Sequence, residues 1–162
     1  ISLVETGLYT QTGGRLKRLK SYIGDETFCM TYGDGLANIN IKKEIEFHRC
    51  NGRLATLAAV QPPGRFGVLQ ISGENIVESF DEKPRDEIGW INGGFFVLEP
   101  KVLEYISSDE TAWEQEPLSQ LAQDGELTAY KHNGFWQPCD TLRDKRYLEE
   151  LWKTERPWCV WT

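Results

Sequence analysis

The feature that most narrows how this chain can fold is the run Thr27-Phe28-Cys29-Met30-Thr31-Tyr32, which carries no charge and stops at Gly33-Asp34-Gly35. A run this short, rich in aromatic and β-branched residues and closed by a turn signal, reads as a buried strand rather than a helix. Behind it Ile41, Ile45, Phe47 and His48 recur at helical spacing until Asn51-Gly52 stops the pattern. Leu54 to Val60 then returns to strand character. Strand, Gly-Asp-Gly, helix and strand make a βαβ crossover. Such a unit predicts parallel strands and a ligand site at their carboxyl ends.

The rest of the chain keeps alternating, which is the mark of an α/β fold. Ser2 to Val4 reads as a short extended piece, followed by the loop Thr10-Gln11-Thr12-Gly13-Gly14. Leu16, Leu19 and Ile23 then predict one amphipathic helix with Arg15, Lys17, Arg18 and Lys20 on its basic face. After the turn Pro62-Pro63-Gly64 come two short strands, near Gly67 to Ile71 and Ile76 to Phe80, and a longer one over Trp90 to Leu98. Short helices are predicted over Pro100 to Ile106 and Pro117 to Gln123, with a strand over Leu127 to Lys131. A last helix runs from about Thr141 to Lys153, and the aromatic tail Trp158 to Trp161 follows it. Residues 1–162 are expected to form one domain, with 141–162 as its terminal helix and tail.

Composition excludes several classes. With 162 residues, 40% of them hydrophobic and 27% charged, the chain can bury a core and does not look disordered. A net charge of −7 leaves no cation excess for non-specific nucleic-acid binding, though an anionic nucleotide needs only a few local cations. No apolar run approaches the ~20 residues of a membrane span, and no signal peptide is visible, so no membrane partner is expected. Cys29, Cys50, Cys139 and Cys159 form no CxxC pair and no zinc spacing. They read as free thiols of a cytoplasmic protein. The first residue is Ile1 rather than Met, as in a fragment.

Four segments could carry chemistry, and each has an ordinary structural alternative. Asp34, flanked by glycines at a strand tip, could hold half a magnesium site or simply occupy a turn. Lys83 in Glu82-Lys83-Pro84 follows a strand and precedes a proline that extends its backbone, which suits a phosphate contact or a solvated surface lysine. Asn92 in Ile91-Asn92-Gly93-Gly94 offers donor and acceptors to a sugar hydroxyl, or marks a kink entering a buried strand. In Gly134-Phe135-Trp136-Gln137-Pro138-Cys139-Asp140-Thr141, Asp140 could be a second metal carboxylate with Trp136 near a sugar ring. Alternatively Asp140 or Thr141 caps the next helix. Thr10 and Arg15 could touch a base or phosphate. Glu114 could meet a sugar hydroxyl, or serve as a first-turn dipole partner. Neither His48 nor His132 is assigned a catalytic role.

Taken in order, these segments resemble the glucose-1-phosphate cytidylyltransferases within the sugar nucleotidyltransferase family. Thr-Gly-Gly-Arg, Tyr-Gly-Asp-Gly, Pro-Pro-Gly-Arg-Phe-Gly, Phe-Asp-Glu-Lys-Pro, Ile-Asn-Gly-Gly-Phe-Phe, Trp-Glu-Gln-Glu-Pro and Gly-Phe-Trp-Gln-Pro-Cys-Asp-Thr-Leu-Arg-Asp follow one another along the chain. The resemblance implies a partial Rossmann-like mixed sheet flanked by helices, with a small β substructure. It also implies Mg²⁺-dependent attack of glucose 1-phosphate on the α-phosphorus of CTP, releasing pyrophosphate and CDP-glucose. Carried over by motif, Asp34 and Asp140 are metal carboxylates, with Lys83 counted beside them as catalytic. Thr10, Arg15 and Gly33 are nucleotide contacts, and Lys83, Asn92 and Glu114 sugar-phosphate contacts.

One departure matters. The Gly-rich loop containing Gly-Thr-Arg, with which the family begins, is not found in these residues, so the chain is expected to be a carboxy-terminal part. Its activity alone is then in question, and the open sheet edges favour a homo-oligomer. A UTP- or dTTP-dependent transferase and a silent sugar-phosphate-binding or assembly module remain the alternatives.

Overall fold

The computed structural model describes residues 1–62, 68–73, 76–81 and 89–160. Its helices and strands, in chain order, are α1 (Thr12–Arg18), α2 (Lys20–Ile23), β1 (Phe28–Thr31), β2 (Gly35–Ala37), α3 (Ile41–Asn51), β3 (Ala55–Val60), β4 (Val68–Ile71), β5 (Val77–Asp81), β6 (Ile91–Leu98), α4 (Glu116–Gln123), β7 (Leu127–His132), β8 (Trp136–Pro138) and α5 (Leu142–Lys153). A 3-10 helix covers Pro100–Tyr105. The extended piece at Ser2–Val4 enters no sheet. The expected helix over Leu16 to Ile23 is broken at Leu19, which caps both α1 and α2.

The chain divides into two compact units, one of Ile1–Tyr32, Asn40–Ala58 and Gly94–Tyr130, the other of Gly33–Ile39, Ala59–Gly93 and Lys131–Thr162. In the first, the strands order β1-β6-β3-β7. β1 and β3, the strands of the expected βαβ crossover, are therefore not neighbours. β6 stands between them and runs antiparallel to β1, pairing Phe28 with Leu98 and Thr31 with Phe95. The sheet is mixed because a strand from later in the chain takes the place beside β1.

The first unit's core gathers Phe96 and Leu98 of β6, Val102, Ile106, Trp113 and Leu121. Phe96 meets Tyr32 and Trp113 edge-on, at ring separations of 5.7 and 6.0 Å. A polar string runs through the same unit. Buried His48 sits 2.8 Å from the Thr56 hydroxyl, which in turn lies 2.8 Å from that of Thr128. His48 Nε2 lies 3.0 Å from Glu99, which also accepts from Thr27. His48 is thus a satisfied core residue.

The second unit holds two small antiparallel sheets, β2 with β8 and β4 with β5. Its aromatic tail folds back: Trp158 is 7% exposed, stacks on Trp152 at 6.3 Å and leans on Phe135 at 5.7 Å. Trp158 is therefore interior to its own unit.

Candidate functional site

β2 and β8 are each too short to persist alone; they exist by pairing. Gly35 pairs with Pro138, Leu36 with Gln137 and Ala37 with Trp136. Backbone bonds extend the match at both ends, from Cys139 N to Asp34 O at 2.8 Å and from Asn38 N to Phe135 O at 3.1 Å. Asp34 is thereby fixed against Cys139, and Asp140 is the next residue along. Both carboxylates are exposed. The Trp136 indole donates to Gly93 O at 2.8 Å, tying β8 to the residue after Asn92. Asp34, Asp140 and Asn92 are thus brought to one part of the second unit. A cleft of about 370 Å³ flanks Trp136; the described residues that line it, Gln61, Asn133, Phe135, Gln137 and Tyr147 among them, carry no charge.

The capping alternative for Asp140 is answered by its neighbour. Thr141 is the N-cap of α5, accepting from Asp144 N, while the Asp144 carboxylate accepts from Thr141 N. Asp140 takes no part in that capping box. Two exposed oxygen ligands are what a magnesium ion needs from protein when phosphates and water complete its shell. No group of three or more His, Cys, Asp or Glu gathers among the described residues.

The paired glycines of β6 have a structural reason. Gly94 has φ +78°, and a Cβ there would stand 2.6 Å from the Tyr32 ring. Close packing of Tyr32, whose N–H donates to Gly94 O at 3.1 Å, sets that glycine. Gly33 is different: among the described residues a Cβ there would meet nothing within 4 Å, so no described neighbour dictates it.

In the first unit, Thr10 is buried and Arg15 is partly engaged, donating to Thr6 Oγ1 at 2.7 Å and to Leu8 O at 3.3 Å. α1 docks on residues 109–113, with Gln11 N donating to Asp109 O and Gly14 N to Thr111 O. A Cβ on Gly14 would fall 2.5 Å from Asp109 O, so only glycine fits. Glu114 is not a first-turn helix residue; in α4 that place belongs to Glu116. Its two oxygens accept from the Thr12 hydroxyl at 2.7 Å and the Tyr32 hydroxyl at 2.6 Å. Thr12 and Tyr32 are the partners that sequence reasoning missed, since nothing local links residues so far apart. Lys83 and its Glu-Lys-Pro segment lie outside the described residues.

Residues 9–146 match the family model described as nucleotidyl transferase, and the chain belongs to that family. It is 56% identical to the glucose-1-phosphate cytidylyltransferase of Salmonella typhi over 99% of its own length and 63% of that relative's. The chain therefore spans less than two thirds of the length of this relative. Among solved structures it is similar in fold to HddC from Yersinia pseudotuberculosis, with TM-score 0.68 and 24% identity over 93% of this chain and 65% of that one. It is likewise similar to a UDP-glucose pyrophosphorylase solved with UDP-glucose, with TM-score 0.67 and 17% identity over 96% and 66%.

Proposed function

We propose that this chain supplies the metal and sugar-phosphate half of a cytidylyl-transfer site, at which glucose 1-phosphate attacks CTP to give CDP-glucose and pyrophosphate. The observation that supports the reading is the pairing of β2 with β8, which sets Asp34 against Cys139, the residue before Asp140. In this reading those two carboxylates hold Mg²⁺, which supplies charge neutralisation at the reacting phosphates. The attacking phosphate oxygen is ionised near neutral pH, so no general base is required of the chain. What its residues contribute is position. Lys83 and Asn92 hold the sugar phosphate, and Trp136 with the cleft beside it suits the glucose ring. Thr10, Arg15 and Gly33 face the nucleotide. The 56% identity to a cytidylyltransferase supports CTP over UTP or dTTP.

The test is pyrophosphate release from CTP, glucose 1-phosphate and Mg²⁺. It is run on these 162 residues, on a chain of the relatives' full length containing them, and on Asp34→Ala in each. The full-length chain should turn over with CTP in preference to UTP and dTTP, and Asp34→Ala should lower kcat by about 10²-fold or more. Equal release with and without Asp34 would sink the site assignment. Absence of release from the full-length chain would favour a silent binding module.

A further inference from the structure

Glu114 joins three segments that lie far apart in sequence: the start of α1, the end of β1 and the residues before α4. The Thr12 hydroxyl accepts from Trp113 N at 2.9 Å, so its single proton is directed to Glu114. The Tyr32 hydroxyl gives its proton to the other oxygen at 2.6 Å. Both are charge-assisted bonds from neutral donors, the stronger kind. Docking of α1 does not depend on them, because Gln11 and Gly14 already bond the backbone of 109–111 and Arg18 bonds Asp109. What Glu114 adds is a tie to Tyr32, the residue that leads by chain into Gly33-Asp34.

We propose that Glu114 is a positioning residue and not a sugar-phosphate contact. It yokes the start of α1 to Tyr32 at the end of β1, so that Thr10 and Arg15 are held in place for the nucleotide. This rests on the nucleotidyl-transfer reading. A carboxylate meant for a sugar hydroxyl would not need both oxygens engaged by protein donors. A carboxylate meant as a bracket needs that arrangement.

A double-mutant cycle in the full-length chain tests the bracket, using Glu114→Ala, Tyr32→Phe and both together. Each single substitution should raise KM for CTP about ten-fold, the usual scale for a lost hydrogen bond to a charged group, and move KM for glucose 1-phosphate less than two-fold. The double variant should be no worse than Glu114→Ala alone, because both remove one bond. Glu114→Gln, which keeps an acceptor oxygen, should recover part of the loss. Losses that multiply in the double variant would overturn the proposal. So would a rise in KM for glucose 1-phosphate in Glu114→Ala with Tyr32→Phe silent. If the wild type releases no pyrophosphate, the transfer reading fails and calorimetric CTP affinity decides the bracket. The same non-additive pattern in Kd keeps it, and equal affinity in all variants ends it.

Discussion

Glu44 is 1% exposed on the inner face of α3, and its Oε1 has no hydrogen-bond partner among the described residues. Burial pushes its carboxyl up to about 7 from the ordinary 4.5. A raised carboxylate pKa means the folded state holds its proton longer than the unfolded chain does. The stability is full below about 4.5 and is lost as pH rises toward and past 7. Glu44→Gln should therefore stabilise the chain more at pH 8.5 than at pH 5, by about 2–3 kcal/mol between the two. Denaturant melts at both pH values measure this, and an identical effect at each would refute the burial account. Glu99 behaves oppositely. Partial burial acts to raise its pKa, but hydrogen bonds from Thr27 and His48 prevail and hold it below the ordinary value, so its contribution is lost in acid. The burial of Glu44 was not read from sequence: the apolar spacing named Ile41, Ile45, Phe47 and His48, yet Ile41 is exposed and Glu44 is buried. The bracket at Glu114 was not legible, because both partners come from distant segments.

At the scale of elements, the capping box separates two readings of adjacent residues. Thr141→Ala should cost about 1 kcal/mol and loosen the first turn of α5 in hydrogen exchange. Asp140→Ala should leave both nearly unchanged while abolishing turnover in the full-length chain. A stability loss from Asp140→Ala as large as that from Thr141→Ala would return Asp140 to a structural role. The elements that could be read from sequence, β1, α3, β3, β4, β5, β6, α4, β7 and α5, each contain enough apolar residues to declare a period. β2 and β8 could not be read that way. Each has three residues, and Gly-Leu-Ala and Trp-Gln-Pro show no alternation until they are set side by side. Half of the candidate site was therefore visible as residue types at strand and helix ends. The pairing that makes it one site was not.

For the whole molecule, the order β1-β6-β3-β7 leaves β1 and β7 at the sheet edges, and Cys29 and Thr31 of β1 are exposed. An edge strand with free backbone groups and small uncharged outward residues invites pairing. These residues expressed alone should elute from size exclusion above the mass of a single chain at micromolar concentration, and Thr31→Lys should shift them toward monomer. A monomer at all concentrations would count against self-association through β1. The pairing of 34–38 with 135–139 also fixes an order of events. α3 can form from neighbouring residues as soon as they exist, but Asp34 and Cys139 become neighbours only after a loop of about a hundred residues closes. During synthesis the chain would carry its Gly-Asp-Gly turn through about a hundred further residues without a partner for it. The loop that carries Asp34 would gain its pairing partner only with the segment that follows His132.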